Sequence, residues 1–227
     1  MKDNRKSGVA LIAGSVTGII IMVLHPTGHD LFASGQLESA ARMLVAVHAV
    51  ALASLPILFL GAWGLSRYLE SPDCFSMAAL VTYTFALIAV MNAAVADGLI
   101  APALARQMAA AAPSSAEMWH MVLNYNFRQN QAFAQLYVVA SSVAIALWSV
   151  STLRSGKLAR GVAVYGAILA PVTLVALFSG HLRLNAHGFG MVMLCEGIWF
   201  VIVGVLLFKS EKKEFPAAPA KPHEGAA

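Results

Sequence analysis

The residues of this chain best suited to chemistry are its histidines and the carboxylates near them. In "LHPTGHD", residues 24–30, two histidines and an aspartate directly follow a long apolar stretch. Neutral imidazole is the commonest protein ligand for zinc, copper and haem iron, and carboxylates complete sites for harder ions. Pro26 and Gly28 prevent His25 and His29 from forming a ligand pair on one helix. The candidate ligands of a metal or haem site are His25, His48, Asp97 and His187.

A second group of polar residues lies within or beside otherwise apolar stretches. Glu196 lies near the middle of the last stretch, where a carboxyl group is costly unless it is protonated or paired. A functional role for Glu196 is favoured over a structural one, and it could carry a proton. We expect the centre of any site between His48, Gln135 and Glu196. The candidates for a ligand pocket are His48, Asn92, Asp97, Arg128, Gln131, Gln135 and Glu196.

The segment "PSSAEMWHMVLNYNFRQNQAFAQ" lies on the only long connection, between the third and fourth apolar stretches. Its Ser114-x-x-Glu117 pattern matches a capping box and predicts a helix start. Polar residues then recur every three or four positions, at Glu117, His120, Asn124, Arg128, Gln131 and Gln135. Lipid cannot satisfy amide groups, so we expect Gln131 and Gln135 to face the bundle interior, near His48 and Asp97.

The end of the first apolar stretch shows how His25 could reach a site. Gly14 and Gly18 form a GxxxG pattern, which favours close helix contact. At helical spacing the same face continues to His25, so helix packing carries this histidine inward. Pro26 then ends the helix, which places His29 and Asp30 in a loop at the mouth of the bundle, where we expect ordinary solvation.

The elements that position these residues are six apolar stretches. The chain is 59% hydrophobic and only 11% charged, with a mean hydropathy of +0.73, whereas soluble domains are about 25% charged. Each stretch approaches or exceeds the roughly 20 residues that span a bilayer. We predict an all-α integral membrane protein with a single six-helix domain over residues 1–208 and a disordered tail over 209–227. The predicted spans are 7–24, 43–66, 76–102, 131–151, 161–179 and 187–208.

The basic residues predict the orientation of these spans. An even number of spans puts both termini on one side, and this side holds most of the Lys and Arg residues. The positive-inside rule therefore predicts cytoplasmic termini in the plasma (inner) membrane. The pI near 9.2 then reflects topology and contact with anionic lipid, and predicts no nucleic-acid partner. All histidines except His223 fall on the outer side.

Three functions remain open, and no sequence motif assigns an enzymatic reaction. The first is an outward-facing, histidine-rich pocket that binds or transports a small amphiphilic or anionic ligand, such as a lipid or a quinone. The second is a redox or hydrolytic membrane protein that binds a transition metal or haem through the outer histidines. The third is an accessory subunit of a larger membrane complex, since small residues favour helix association. Partners under these hypotheses are the bilayer, the amphiphile, other membrane subunits or further copies of this chain.

Overall fold

The computed structural model describes residues 2–26, 36–70 and 74–210. Predictions about His29, Asp30 and the tail beyond residue 210 lie outside these ranges. The α-helices are α1 (Lys2–Leu24), α2 (Leu37–Leu69), α3 (Phe75–Val95), α4 (Ala101–Ala110), α5 (Ala116–Ser155), α6 (Arg160–Phe178) and α7 (Ala186–Ser210). A π-helical turn, Ala96–Ile100, joins α3 to α4, and a 3-10 turn, Pro113–Ser115, precedes α5.

Six helical segments of the described chain are long and apolar enough to cross a membrane. The prediction of an all-α chain with six such segments is confirmed, and the described ranges contain no β-strand. The second, third and fourth segments extend well beyond the predicted limits. The segments are Asp3–Leu24, Leu37–Leu69, Phe75–Ala110, Pro113–Ser155, Arg160–Phe178 and Ala186–Ser210.

The long connection predicted between the third and fourth spans is almost entirely helical. The third segment continues to Ala110, and α5 begins at Ala116. The predicted capping box is wrong in detail, because the N-cap is Ser115 and its side chain makes no cap hydrogen bond. Its hydroxyl donates instead to the Ala112 carbonyl, at 2.8 Å. The 40 residues of α5 measure about 60 Å, twice the thickness of a bilayer core. Helix α4, the end of the third segment, packs against it.

Two sets of contacts hold the bundle together. Helix α1 packs against α2 and α7, whereas α5 packs against α3 and α6. Large aromatic side chains fill the centre, where the Trp148 ring lies 6.1 Å from Trp199 and 5.4 Å from Tyr83, between centroids. Trp148 is fully buried, and its indole N–H donates to the Ser66 hydroxyl at 2.8 Å. These contacts join α2, α3, α5 and α7 at one level of the bundle.

Small residues allow α1 to approach both of its neighbours. A Cβ atom at Gly14 would lie 2.5 Å from a side-chain carbon of Leu58 on α2, and one at Gly18 would lie 3.3 Å from Met193 on α7. The GxxxG pattern therefore marks close contacts, as predicted, although its two glycines face different helices. Beyond them, α1 ends beside residues of α2 and of the π-helical turn that form the candidate site.

Candidate functional site

Three helical segments bring two imidazoles to one carboxylate. His25 directly follows α1, His48 lies on α2, and Asp97 lies in the π-helical turn. The Asp97 Oδ2 atom lies 3.2 Å from Nε2 of His25 and 3.5 Å from Nε2 of His48. The two imidazole rings meet edge to face, with 5.0 Å between their centroids. We refer to these three residues as the His–Asp cluster.

The π-helical turn and Gly98 make this approach possible. A π turn widens the helix locally and changes the direction of its side chains, and such turns are frequent at functional sites. Gly98 is buried against His48, and a Cβ atom at this position would overlap the imidazole. The absence of a side chain at Gly98 therefore lets α2 come close enough for His48 to reach Asp97.

The hydrogen bonds of the two histidines determine which ring nitrogens face the carboxylate. The Nδ1 atoms of His25 and His48 each lie 2.8 Å from a backbone carbonyl oxygen, of Pro26 and Leu44 respectively. A carbonyl oxygen only accepts hydrogen bonds, so both Nδ1 atoms must donate. In a neutral imidazole Nε2 is then an unprotonated acceptor. When both imidazoles are neutral, two nitrogen lone pairs and a carboxylate oxygen converge on the same space.

His25 is the member of the His–Asp cluster that lies beyond the end of its apolar helix. Burial lowers its pKa, but the hydrogen bond and negative charge of Asp97 and the carbonyl of Pro26 outweigh this effect. The pKa of His25 is therefore raised above its usual value. The Asp97 carboxylate thus attracts positive charge to this end of the cavity.

The His–Asp cluster borders a cavity of about 680 Å³ between α1, α2, α3, α5 and α7. Most of the polar side chains in its wall lie near the level of the His–Asp cluster, at His25, His48, Asp97, Asn126, Asn130, Gln131, Arg183 and Asn185. Farther along the helices the wall is mainly apolar, at Leu55, Leu58, Leu87 and Met193, although Ser54, Tyr83 and Tyr137 also line it there. From His48 to Leu58 the wall descends by about 15 Å. The cavity is therefore polar at one end and mainly apolar at the other.

No protein family, curated protein or solved structure matches this chain. The geometry of the site is therefore the basis for proposing a function.

Glu196 lies deeper than the His–Asp cluster and has its own partners. It is 2% exposed, and its carboxylate oxygens accept hydrogen bonds from the Tyr137 hydroxyl, at 3.0 Å, and the Ser141 hydroxyl, at 2.8 Å. Tyr137 also lines the cavity, so one side chain separates the carboxylate from that space. These two hydrogen bonds account for the burial of Glu196 without a ligand.

Several predicted pocket residues lie away from the cluster. Asn92 is half-buried and donates to the Ile88 carbonyl of its own helix at 2.8 Å. Arg128 and Gln135 are exposed and line a separate surface depression on α5. Gln131 lines both spaces and donates to the Leu184 carbonyl at 3.0 Å. His187 is exposed at the start of α7, outside the His–Asp cluster.

The predicted inward position of Gln135 is wrong because α5 turns a different face to the bundle. Ala134, one residue earlier, is buried and lines the cavity. Consecutive residues point about 100° apart around a helix, so an inward Ala134 turns Gln135 outward. The polar stripe from Glu117 to Gln135 therefore lies mainly on the outer surface of α5.

The inward face of α5 carries a buried amide that the stripe did not include. Asn126 is 6% exposed, lines the cavity and donates to the Ala96 carbonyl at 3.0 Å. The side-chain amide oxygen of Asn126, Oδ1, is buried and has no hydrogen-bond partner within the described parts of the chain. A sequence signal existed, since Asn126, Asn130, Ala134, Tyr137 and Ser141 follow helical spacing. This signal was hard to recognise because the inward face of α5 mixes polar residues with small ones.

The geometry of the cluster fits one ion better than a bis-histidine haem. Haem would need the two imidazoles on opposite faces of a porphyrin. Here both Nε2 atoms lie within 3.5 Å of the same Asp97 oxygen, so the carboxylate occupies the space between them. The cluster can hold a small cation or a proton, and the adjoining cavity can hold an organic molecule.

Proposed function

We propose that this chain is a six-span membrane protein that binds a small amphiphilic molecule in the cavity beside the His–Asp cluster. The observation that carries this proposal is the division of the cavity wall into a polar end and an apolar end. Its volume of about 680 Å³ lies within the usual range for small-molecule sites, about 300–1,000 Å³. An aliphatic or ring-containing tail would lie against Leu87, Phe189 and Met193, and a polar head would lie near Asn126 and Arg183.

The unpartnered side-chain oxygen of Asn126, Oδ1, supports a ligand that carries a hydrogen-bond donor. A buried polar atom without a partner costs about 1–3 kcal/mol, and a donor on the ligand would recover this energy. Arg183 at the same end supplies a positive charge for an anionic or carbonyl oxygen. A lipid or a quinol has both kinds of group on a polar head and an apolar body. These chemical classes fit the cavity wall.

The outer surface of the helices supports placement in a bilayer. Large apolar side chains project from it, including Val23 at 79%, Phe85 at 64% and Phe178 at 75% exposure. Water would disfavour so much apolar surface, whereas lipid tails would not. We further propose that the chain lies in the plasma (inner) membrane.

Basic residues support the orientation. Lys157 donates to the Glu70 carbonyl at 3.2 Å, and the guanidinium carbon of Arg5 lies 4.4 Å from the centre of the Phe208 ring. These contacts join helix ends at the pole that holds the N-terminus. Basic residues concentrate on the cytoplasmic side of membrane proteins. Both termini would then be cytoplasmic, and the polar end of the cavity would face outward.

A phenylalanine that fills the cavity should remove the bound amphiphile. Ala51 on α2 lines the cavity, so Ala51→Phe places a ring in the space that the ligand would occupy. We expect at least about a 10-fold drop in the amphiphile recovered per mole of protein, because a filled pocket excludes its ligand. The measurement is mass spectrometry of an organic extract from the purified, detergent-solubilised chain.

The matched control is Ala53→Phe, which adds the same ring to an exposed position on the same helix. It should leave the recovered amount unchanged. A wild-type extract that contains only the lipids also recovered with Ala51→Phe, in the same amounts, would contradict the proposal.

A further inference from the structure

We propose that His25, His48 and Asp97 bind one divalent first-row transition-metal ion through two imidazole nitrogens and one carboxylate oxygen. This metal site is separate from the amphiphile proposal, because all three ligands belong to the protein. The site is supported by the distances between the donor atoms, by the hydrogen bonds of the opposite ring nitrogens and by the open cavity beside the three residues.

The distances between donor atoms match the spacing around a metal ion. Metal–ligand bonds of about 2.1 Å at tetrahedral or octahedral angles place two ligand atoms roughly 3.0–3.4 Å apart. The two nitrogen–oxygen distances in the cluster are 3.2 and 3.5 Å. A ligand atom from each of the three residues lies within 4.8 Å of the others. The two nitrogen–oxygen distances therefore already lie at or close to the spacing that a metal ion requires.

The hydrogen bonds that His25 and His48 make through Nδ1 are of the kind that metal-binding histidines make. A ligating histidine usually donates its other ring N–H to a carbonyl or a carboxylate, which fixes the ring and raises its basicity. His25 does so to Pro26 and His48 to Leu44, both at 2.8 Å. With a neutral imidazole at each position, three electron-rich atoms face one another. A cation between them converts this repulsion into attraction.

The cavity leaves part of the ion's coordination sphere open. All three ligands line the cavity, so the remaining positions of the ion face it. Three protein ligands with an open position are typical of catalytic rather than structural metal sites. Two imidazoles and one carboxylate suit Zn²⁺, Fe²⁺ or Co²⁺, whereas Mg²⁺ and Ca²⁺ prefer oxygen ligands alone. Water or an oxygen atom of a bound molecule would complete the coordination.

Cobalt(II) titration of the full-length, detergent-purified chain tests the site, after a chelator has removed any metal. We expect saturation at one Co²⁺ per chain, with a visible ligand-field spectrum that Zn²⁺ reverses. Asp97→Asn keeps the shape of the side chain but removes its charge. Loss of outer-shell partners alone costs about 10- to 100-fold in metal affinity, so Asp97→Asn and His48→Gln should each cost at least that much.

The matched control is His187→Gln, which makes the same substitution at an exposed histidine outside the cluster. It should bind Co²⁺ as tightly as the wild type. Elution volume and helical content show whether each variant folds, and His25→Gln replaces His48→Gln if the latter does not. Equal affinity for Co²⁺ in the wild type and in the His25→Gln/Asp97→Asn double variant would overturn the proposal. So would equal losses in His48→Gln and His187→Gln, which would indicate adventitious surface binding.

Discussion

Replacement of Glu196 with alanine should lower the free energy of unfolding of the detergent-solubilised protein by about 3–5 kcal/mol. The substitution removes a side chain that is 2% exposed and leaves a cavity beside α5. It also removes the acceptor of the Tyr137 hydroxyl, which lies 3.0 Å from the carboxylate. Ser141 is less affected, because its hydroxyl also lies 3.3 Å from the Val138 carbonyl and can donate there. Chemical denaturation monitored by tryptophan fluorescence measures the change.

Two further variants separate the hydrogen bond from the lost volume. Glu196→Gln keeps the size of the side chain and an oxygen that can accept from Tyr137, so it should cost less than about 1.5 kcal/mol. In Glu196→Ala/Tyr137→Phe the unpaired hydroxyl is absent. This double variant should be more stable than the sum of its single effects predicts, by about 1–3 kcal/mol. If the effects of the two substitutions on the free energy of unfolding simply add, the hydrogen bond from Tyr137 is not the reason why Glu196 stabilises the protein.

The number and type of helices could be predicted because lipid permits few alternatives. A chain that crosses a bilayer must satisfy its backbone hydrogen bonds internally, so each apolar stretch of about 20 residues implies a helix. The first and last residues of the helices were harder to predict, since polar helix ends such as Leu37–Arg42 and Arg106–Ala110 carry no hydropathy signal. There the helix is stabilised partly by side-chain pairing, because Arg106 donates to Glu38 at 2.9 and 3.1 Å.

The candidate site could be predicted only as residue types at one end of the bundle. His25, His48 and Asp97 were among the predicted ligands, but their mutual distances depend on a π-helical turn that helical spacing does not reveal. Which face of α5 points into the bundle depends on the rotation of the helix about its own axis. A stripe of amides that faces inward and one that faces outward show the same spacing in the sequence. The partners of Glu196 lie more than 50 residues away in sequence and depend on the packing of α5 against α7. Periodicity describes one helix at a time and cannot supply such contacts.

Replacement of Gly8 with valine should destabilise the protein by about 3 kcal/mol, because α1 and α7 cross at this residue. A Cβ atom at Gly8 would lie 2.5 Å from the Gly204 carbonyl oxygen and 2.9 Å from the Phe208 nitrogen. Both are backbone atoms, which cannot rotate away as a side chain can. The helices must therefore separate, and the contacts that Leu11 and the rest of α1 make in the core weaken. Denaturation in detergent measures the loss.

Gly161 provides the matched control, because a Cβ atom at this position in α6 would have no heavy atom within 4 Å. Gly161→Val should change the stability by less than about 0.5 kcal/mol. Alanine sharpens the comparison, since it favours a helix over glycine by about 1 kcal/mol. Gly161→Ala should therefore be neutral or stabilising, whereas Gly8→Ala should destabilise the protein even though Gly8 lies in a helix interior, where the gain in propensity is fully expected. If both alanine variants stabilise the protein equally, α1 and α7 are farther apart than the 2.5 Å between a Cβ atom at Gly8 and the Gly204 carbonyl oxygen implies.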